Sequence, residues 1–265
     1  ERLNSCLSGV DYVVHAAATK IVPTAEFNPS ECVKTNILGA MNLTECCINN
    51  KVKKVVALST DKACNPINFY GATKLASDKL FIASNSFEKD ITKFSIVRYG
   101  NVMGSRGSVI PFFYSLRRNK ELPVTDLKMT RFMIDLSEAV NLVVEAFKVS
   151  KGGEIFVKKI PSIKIVDIVK AVNSKAKIKI IGVRPGEKID EQMISIEDAP
   201  FTFEFKKYFV ILPSIFDQSN FKKLTKYGKK VHKTYSYISN INDHWMTQKD
   251  LKLWINKNIS LIDNH

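Results

Sequence analysis

Three short apolar runs in the first hundred residues alternate with two long stretches of helical period. The runs, at residues 9–18, 54–59 and 94–99, are rich in small and β-branched side chains and predict buried strands. Apolar residues recur at helical spacing over residues 29–50 and 70–86, which predicts a helix between each pair of strands. This order is typical of a parallel α/β sheet, whose ligand sites gather at the carboxyl ends of the strands.

The remainder of the chain is less regular. A polar, glycine-rich segment at residues 100–107 is the kind of backbone that can lie against a ligand. The elements expected beyond it are helices at 109–119, 137–148, 163–172 and 247–257, strands at 154–157 and 177–183, and a short strand or hairpin within 123–134. The last roughly sixty residues are aromatic and Lys-rich, and we expect them to be irregular before the final helix.

The charge of this 265-residue chain is strongly basic, with a formal net value of +14. Of its 40 basic residues 33 are Lys, and these are scattered along the sequence. The pattern favours a solvated Lys-rich surface over a polyanion site, so we expect no nucleic acid and, at most, a small anion such as a nucleotide diphosphate. No apolar run approaches the ~20 residues of a membrane span, and we expect no membrane partner and a cytoplasmic location.

The cysteines and histidines restrict the chemistry further. Five cysteines, an odd number with no C-x-x-C spacing, are typical of reduced thiols rather than of disulfides or zinc ligands. The four histidines show no ligand spacing, so we expect no metal. Cys64 and His15 are interpreted as packing residues, the first as filler and the second at the end of a strand.

Residues 59–74 concentrate polar groups where the second predicted strand ends. Ser59, Asp61 and Lys62 follow the strand, and Tyr70 and Lys74 open the next helix four positions apart, which puts them on one face. A hydroxyl, a carboxylate, an amine and a phenol in such a place can move protons. The plain alternatives are an ordinary amphipathic helix start for Tyr70 and Lys74, and a capping acid beside a surface base for Asp61 and Lys62.

The motif Tyr70-Gly-Ala-Thr-Lys74, between Ser59-Thr60 and Arg98-Tyr-Gly-Asn-Val102, resembles the extended short-chain dehydrogenase/reductase superfamily. Further segments are similar to the polysaccharide biosynthesis proteins, and among them to the inverting UDP-N-acetylglucosamine 4,6-dehydratases, which begin pseudaminic acid synthesis for flagellin glycosylation. These segments are His15-Ala-Ala-Ala-Thr-Lys20, Glu26-Phe-Asn-Pro29, Lys34-Thr-Asn36, Ser59-Thr-Asp-Lys62, Gly104-Ser-Arg-Gly-Ser-Val109 and Arg184-Pro-Gly-Glu-Lys188. The resemblance covers nearly the whole chain, and its combination of motifs is far more specific than a lone Tyr-x-x-x-Lys.

The resemblance implies catalytic roles for Asp61, Lys62 and Tyr70. Tyr70 and Lys74 would help to oxidise the sugar C4 hydroxyl as a hydride leaves for NADP, or for NAD in its place. The C4 ketone acidifies the C5 proton, and Asp61 and Lys62 would remove it and protonate the departing C6 hydroxyl, with Lys62 as the base. Return of the hydride to C6 leaves a 4-keto-6-deoxy sugar with inverted C5. Because an adjacent carboxylate keeps an amine protonated, a basic Lys62 requires burial or a nearby cation.

The resemblance also implies binding residues. Cofactor contacts are expected at Ala16, Leu58, Ser59, Tyr70, Lys74 and Val102. Contacts with a UDP-sugar substrate are expected at Lys20, Asn101, Arg106, Arg184 and Glu187. Guanidinium groups suit a diphosphate because they bind phosphate oxygens in pairs. The plain alternatives are a surface position for Lys20, a structural ion pair for each Arg, and a loop salt bridge instead of a ribose contact for Glu187.

The fold that the resemblance implies is α/β, a Rossmann-like doubly wound parallel sheet lacking its first strands, with a smaller C-terminal substrate-binding lobe. Residues 1–108, with residues 130–160 returning, would belong to the dinucleotide-binding domain, and residues 109–265 mainly to the nucleotide-sugar lobe and tail. No glycine-rich dinucleotide turn is present, so we expect three strands and two helices, on the order of 60–70 residues, to precede Glu1. The strand at 11–18 would then be an open edge able to bind a complementing N-terminal fragment.

The expected function is therefore that of an inverting UDP-N-acetylglucosamine 4,6-dehydratase. The alternatives within enzymes are a nucleotide-sugar 4-epimerase and a retaining dehydratase of the same superfamily. A truncated remnant or binding module without redox activity is the alternative from another class. When complete, such an enzyme is expected to be a homo-oligomer that associates through the helices at residues 29–50 and 70–86.

Overall fold

The computed structural model of the chain describes residues 1–87 and 91–263. Its strands, in chain order, are β1 (Tyr12–His15), β2 (Lys54–Thr60), β3 (Lys93–Tyr99), β4 (Asn101–Val102), β5 (Glu121–Val124), β6 (Thr130–Ile134), β7 (Ile155–Lys158), β8 (Ser162–Lys164), β9 (Lys177–Ile180), β10 (Gln192–Ile194), β11 (Thr202–Glu204), β12 (Tyr208–Ile211), β13 (Lys229–Lys230) and β14 (Tyr237–Ile238). Its helices are α1 (Arg2–Cys6), α2 (Val22–Phe27), α3 (Pro29–Val33), α4 (Gly39–Asn49), α5 (Phe69–Ala83), α6 (Val109–Ser115), α7 (Leu136–Val149), α8 (Ile165–Val172), α9 (Lys222–Thr225), α10 (Gln248–Lys257) and α11 (Ile259–Asp263).

The chain divides into two compact units. The first contains Glu1–Tyr99, Val140–Lys159 and Met193–Ser236, and the second contains Gly100–Ala139, Ile160–Gln192 and the residues from Tyr237 onward. The sequence led us to expect one return of the chain to the first domain, near residues 130–160. The structure adds a second return, Met193–Ser236, because β11, β12 and β13 join the sheet of the first unit.

A seven-stranded sheet forms the centre of the first unit, in the order β1-β2-β3-β7-β12-β11-β13. The first four strands of this order are parallel, which confirms the predicted parallel α/β sheet. Among the described strands, β1 lies at one edge. At the other end, β12, β11 and β13 add an antiparallel ladder. The prediction that residues beyond about 205 are irregular was wrong for β12, β13 and β14, which pair with β7 and β11, with β11, and with β10.

The sheet is covered on both faces by helices. On one face, α7 packs its apolar stripe, including Leu142 and Ala146, against Val56 and Phe156 of the strands. Helix α5 contacts β2 and β3 and buries Phe81 completely. The helix predicted at residues 29–50 is present as α3 and α4, but a π-helical turn, Lys34–Leu38, joins them. Such a turn inserts one residue into the helical ladder and frequently occurs at functional sites.

The second unit has its own sheets and its own core. β4 pairs parallel with β6, β6 pairs antiparallel with β8, and β5 pairs parallel with β9. The segment 123–134 therefore does not form the hairpin that the sequence allowed, because β5 and β6 pair with other strands. Helices α6, α8 and α10 bury Phe113, Ile168 and Leu251 in one apolar cluster.

Candidate active site

Strand β2 ends at Thr60, and the chain enters a 3₁₀ turn, Asp61–Ala63, at once. The Thr60 hydroxyl caps this turn by accepting a hydrogen bond from the Lys62 amide at 3.3 Å. The register of β2 with β3 continues to the pair Thr60 and Tyr99. The turn therefore leaves the sheet at its carboxyl edge, where parallel sheets bind ligands.

Asp61 is fully buried, at 0% exposure, and only one of its carboxylate oxygens is bonded. Oδ1 accepts hydrogen bonds from the Thr60 hydroxyl at 2.8 Å and from Lys62 Nζ at 3.1 Å. Oδ2 is buried without a hydrogen-bond partner among the described residues. Because an unbonded buried carboxylate oxygen is costly, a donor group of a ligand would stabilise it.

A close contact brings Tyr70 to this turn. Asn68 caps α5 by accepting a hydrogen bond from the Gly71 amide at 2.7 Å. Gly71 lies so near the Lys62 carbonyl oxygen that a Cβ atom would overlap it. The first turn of α5 is thus held against the turn after β2, and the Tyr70 phenol is hydrogen-bonded with the side chain of Thr60.

The environment of Tyr70 keeps its proton in place at neutral pH. The pKa of Tyr70 is raised to about 12; burial is the largest cause, and the negative charges of Asp61 and Asp78 act in the same direction. The positive charge of Lys62 and the hydrogen bond with Thr60 act in the opposite direction and lower the pKa. The phenol becomes a base only if its surroundings gain positive charge or further hydrogen-bond donors.

Lys74 lies one helical turn beyond Tyr70 and is only 4% exposed. Its burial lowers its pKa, whereas the carboxylate of Asp78, a further turn along α5, raises it. Asp78 is itself fixed from two sides. Its Oδ2 accepts hydrogen bonds from Ser59 Oγ at 2.6 Å and from Arg98 Nη2 at 3.4 Å.

Two functional side chains were missing from the sequence-based prediction. The Thr60 hydroxyl is hydrogen-bonded with the Tyr70 phenol, and the carboxylate of Asp78 acts on the charge of Lys74. We expect Ser59 to contact the cofactor. Its hydroxyl donates to Asp78, so such a contact would have to use the backbone of Ser59. Two features of the sequence could have indicated these residues. Thr60 carries a hydroxyl directly before Asp61, and Asp78 is an acid four positions after Lys74, on the same face of the helix.

The end of β1 lies near Lys74. His15 packs on Phe81 with a ring-centroid distance of 5.4 Å, as expected for a strand-end histidine. Burial and the charge of Lys74 lower the pKa of His15 to about 4, so the ring is neutral at pH 7. Its Nε2 is buried and has no hydrogen-bond partner in the described part of the chain. Ala16 follows and is exposed, and Leu58 on the neighbouring strand is half-buried.

Lys20 lies in the segment that follows β1. Its partial burial and, second, the positive charge of Lys62 lower the pKa of Lys20. The two amines are therefore close enough to repel each other when both are protonated. Lys20 is therefore a cation close to Lys62. The structure brings five predicted residues of the first unit into one site: Lys20, Asp61, Lys62, Tyr70 and Lys74.

The other predicted residues belong to the second unit. Asn101 and Val102 form β4 and are half-buried, and the Asn101 Oδ1 atom is buried with no hydrogen-bond partner among residues 1–87 and 91–263. Arg106 is exposed in a loop between Gly104 and Gly107, whose φ angles are +71° and +70°. Glycine is favoured at such angles, which agrees with the expected glycine-rich loop.

Arg184 and Glu187 bind each other. Arg184 Nε and Nη2 each donate a hydrogen bond of 3.0 Å to one oxygen of the Glu187 carboxylate. Burial acts to raise the pKa of Glu187, but the hydrogen bond and charge of Arg184 lower it overall, with help from Arg131. The loop salt bridge that the sequence left open is therefore present in this structure.

A cavity of about 490 Å³ in the second unit is lined by both residues of this pair. Its size is typical of a small-molecule site. Arg117 and Arg131 add positive charge to its wall, and Phe112 and Ile181 add apolar surface. A cavity with basic and apolar walls can hold a nucleotide, with the phosphates on the guanidinium groups.

The described residues give no indication of a metal centre or a membrane span. Within residues 1–87 and 91–263, no three His, Cys, Asp or Glu side chains form a group that could hold a metal ion. None of the helices in the described part of the chain is both long and apolar enough to cross a bilayer.

The first unit fits the ribose of a nicotinamide dinucleotide. His15 Nε2 and Asp61 Oδ2 are buried polar atoms that lack partners among the described residues. Lys74 and Tyr70 add a buried ammonium group and a buried phenol. Ribose hydroxyls can both donate and accept hydrogen bonds, so they match this mixed set of groups.

The chain is similar to named enzymes over most of its length. A UDP-N-acetylglucosamine 4,6-dehydratase (inverting) from Campylobacter jejuni subsp. jejuni serotype O:23/36 (strain 81-176) is 52% identical over 259 residues, which are 95% of this chain and 78% of that relative. A UDP-glucose 4-epimerase from Rickettsia bellii (strain RML369-C) is 44% identical over 243 residues, which are 89% of this chain and 71% of that relative.

A solved structure and a family model extend these similarities. The X-ray structure of Pen from Bacillus thuringiensis matches with a TM-score of 0.87 and 38% identity, over 98% of this chain and 79% of that chain. The model of the family described as polysaccharide biosynthesis protein matches residues 1–213. These matches confirm the resemblance that the sequence motifs indicated. The chain belongs to the polysaccharide biosynthesis protein family.

Proposed function

We propose that this chain catalyses the NADP-dependent 4,6-dehydration of UDP-N-acetylglucosamine with inversion at C5. The observation that carries the proposal is the pair of the buried Asp61 and the half-buried Lys62, which Thr60 connects to the Tyr70 phenol. Groups for an elimination thus lie beside a group for an oxidation. The relative that is 52% identical and carries this enzyme name supports the same reaction.

Oxidation of the sugar at C4 requires a base for the hydroxyl proton, and Tyr70 is the candidate. Lys62 already lowers the pKa of Tyr70, and Lys74 lies one helical turn further along α5. Thr60 holds the phenol and also donates to Asp61, so its hydroxyl can pass a proton between the two groups. Bound ligands would add donors to this buried site and favour the phenolate.

Elimination of water requires a base at C5 and an acid at the C6 hydroxyl. We assign Lys62 as the base, because it is partly exposed, at 23% of its side chain, and lies near the positive charge of Lys20. The Asp61 carboxylate, 3.1 Å from Lys62 Nζ, favours the protonated amine. The positive charge of Lys20 must therefore offset the effect of Asp61 before Lys62 can act as a base. Asp61 is assigned to protonate the departing hydroxyl through its unbonded Oδ2 atom, with the proton that Tyr70 takes from the C4 hydroxyl and Thr60 passes on to the carboxylate.

We infer that NADP, rather than NAD, is the dinucleotide, by resemblance. The chemistry that it supplies when bound is the reversible acceptance of a hydride. Lys74 and Tyr70 would bind and orient its ribose. Ala16, which directly follows β1, and Leu58 and Ser59 near the end of β2 are assigned to the same ligand. Val102 is assigned to the same ligand by resemblance alone.

The second unit is proposed to bind the nucleotide of the substrate. Its cavity combines three Arg side chains with apolar walls. Arg184 has more N–H donors than Glu187 uses, so it can still bind a phosphate oxygen while the pair stays intact. The unbonded Asn101 Oδ1 atom and the exposed Arg106 guanidinium are the other groups assigned to the UDP-sugar.

The wider setting follows from resemblance. We propose a homo-oligomer, and the exposed apolar side chains of Phe27, Leu38 and Met41 near helices α2 to α4 support association. The cysteines are thiols without disulfides, which supports a cytoplasmic location. The product is proposed to enter pseudaminic-acid-type glycan synthesis for flagellin.

Product analysis tests the function. After incubation with UDP-N-acetylglucosamine and NADP, we expect proton NMR to show a C6 methyl signal and a product with inverted C5. The Lys62→Met variant should lose at least about 100-fold in product formation, because the base is removed. A product that keeps its C6 hydroxyl would contradict the proposal.

A nucleotide-sugar 4-epimerase is the second candidate, favoured by the relative that is 44% identical. Epimerisation needs Tyr70 and Lys74 but no elimination, so it gives no role to the Asp61–Lys62 pair. If Lys62→Met leaves turnover unchanged and the product differs from the substrate only at C4, the epimerase is the correct assignment.

A further inference from the structure

We propose that Trp254 of helix α10 is a positioning residue that holds the glycine-rich loop at residues 100–107 against the cavity of the second unit. The proposal rests on the function proposed above, because there the cavity and Arg106 of this loop bind the nucleotide of the UDP-sugar. The effect assigned to Trp254 is on the affinity for the nucleotide and not on the chemical steps.

The loop meets helices α10 and α11 at Gly104. A Cβ atom at this position would lie 2.9 Å from Trp254 Cη2 and 3.0 Å from Leu261 Cδ2, closer than such atoms pack. The φ angle of Gly104 is +71°, which also favours glycine. The loop backbone therefore lies directly on these two side chains, and their position sets the position of the loop.

The indole of Trp254 is itself fixed. Its Nε1 donates a hydrogen bond of 2.6 Å to Asp135 Oδ1. Asp135 directly follows β6, which pairs with β4, the strand from which the loop leaves. On the next turns of α10, Leu251 and Ile255 are buried in the apolar cluster of the unit. Trp254 therefore connects the loop to the sheet and to the core of the same unit.

The loop continues from Gly104 into the wall of the cavity. The Ser105 amide donates to the Val102 carbonyl at 3.2 Å, and the Ser108 amide donates to the Ser105 carbonyl at 3.0 Å. These two turns link the glycine to Gly107 and Ser108, which line the cavity. Ile262 of α11 lines the same cavity. Helices α10 and α11 thus shape the wall both directly and through the loop.

The hydroxyl of Ser108 shows what a displaced loop would lose. Its Oγ is buried and has no hydrogen-bond partner within residues 1–87 and 91–263. A bound nucleotide carries donors and acceptors that could satisfy this group. A loop that is already held in place does not have to be ordered at the moment of binding, so its anchoring raises the affinity.

Amide hydrogen exchange tests the anchoring without any need for activity. Trp254→Phe removes the Nε1 donor and the outer edge of the ring that touches Gly104. We expect the amides of Met103 and Ser105, the hydrogen-bonded neighbours of Gly104, to exchange at least about 10-fold faster than in the wild type. Trp245→Phe is the matched control, because it makes the same change at the other, half-buried Trp of this unit. Unchanged exchange in Trp254→Phe would overturn the proposal.

Calorimetric titration with UDP tests the consequence for the cavity. We expect the Kd of UDP to rise about 10-fold in Trp254→Phe and to stay near the wild-type value in Trp245→Phe. The KM for UDP-N-acetylglucosamine should rise by a similar factor, while kcat changes by less than about twofold, because the acid–base groups belong to the first unit. An unchanged Kd of UDP, or a loss confined to kcat, contradicts the role of Trp254.

Variants of Asp135 test the hydrogen bond that fixes the indole. Asp135→Asn keeps an acceptor oxygen and should bind UDP nearly as the wild type does, whereas Asp135→Ala should weaken binding. Asp135→Ala combined with Trp254→Phe should lose no more than about twofold beyond Trp254→Phe alone. Full additivity of the two losses refutes this route.

A second variant decides if Trp254→Phe fails to fold. Leu261 touches the same glycine but is 38% exposed, so its truncation is better tolerated. We expect Leu261→Ala to bind UDP about threefold more weakly and to exchange the Ser105 amide faster than the wild type. If neither quantity changes in Leu261→Ala, the loop is not held by these helices.

The measurements separate this proposal from the proposed function. A wild-type chain that binds UDP but forms no dehydration product refutes the reaction, while exchange and UDP affinity still decide on Trp254. Active wild-type protein with unchanged exchange and UDP affinity in Trp254→Phe refutes the role of Trp254 alone. A wild-type chain that binds no UDP overturns both.

Discussion

Thr60 connects two groups whose protonation states decide the reaction. Its hydroxyl donates to Asp61 Oδ1 at 2.8 Å and is also hydrogen-bonded with the Tyr70 phenol. A single hydroxyl therefore lies between the residue assigned to the oxidation and the pair assigned to the elimination. The buried phenol of Tyr70 thereby has a hydrogen-bond partner.

Thr60→Val tests this connection, because it removes the hydroxyl and keeps the shape. The hydrogen bond with Thr60 lowers the pKa of Tyr70, so its loss raises that pKa. If the reaction needs deprotonated Tyr70, kcat/KM rises with pH through the pKa of Tyr70. We expect this rise to occur at higher pH in the variant. At pH 7 kcat should fall by about 100-fold, and Thr60→Ser should retain most of it. An unchanged pH profile of kcat/KM in Thr60→Val would contradict the role of this hydroxyl.

At the scale of elements, the site depends on how α5 begins. The Asn68 cap fixes the first turn of the helix, and the contact of Gly71 with the Lys62 carbonyl presses that turn onto the residues after β2. Asp78, two turns further along, joins the same helix to Ser59 and Arg98 at the ends of β2 and β3. Helix α5 is therefore held at both ends of its catalytic stretch.

Gly71→Ala tests the contact between the two turns. The new Cβ would overlap the Lys62 carbonyl oxygen, so the backbone must separate, at a cost of about 1–3 kcal/mol in the free energy of unfolding. Gly39→Ala is the control, since the nearest atom to its Cβ is the Lys34 oxygen at an ordinary 3.5 Å. There we expect a gain of about 0.5–1 kcal/mol, as for Gly to Ala in a helix. Chemical denaturation measures the free energy of unfolding of both variants. An equal change in Gly71→Ala and Gly39→Ala would show that the contact at Gly71 is not tight.

The sequence predicted the parallel strands and the helix that carries Tyr70 and Lys74, because both depend on local period and motif. It did not predict Thr60 or Asp78 as functional groups. Their importance follows from the packing of α5 on β2, and such a contact has no local pattern. The π turn at Asn36 was missed for the same reason, since its contacts with Thr19 and Thr73 join distant parts of the chain.

At the scale of the molecule, the chain builds two units by returning twice to the first sheet. The apolar strand β7 could be predicted from its composition. The antiparallel strands β11 to β13 could not, because short Lys-rich segments such as Lys229–Lys230 become strands only through pairing with Phe203 and Glu204. The predicted residues are consequently distributed, with the acid–base groups in the first unit and the Arg and Asn groups in the second.

The central claim is that Lys62 removes the proton at C5 of the sugar while Asp61 protonates the departing C6 hydroxyl. The most direct test is the reaction with UDP-N-acetylglucosamine and NADP in D₂O, followed by NMR of the product. We predict a 4-keto-6-deoxy product with inverted C5 that carries deuterium at C5, and neither the methyl signal nor the deuterium in Lys62→Met. A wild-type product with a C6 hydroxyl and no deuterium at C5 would contradict the account.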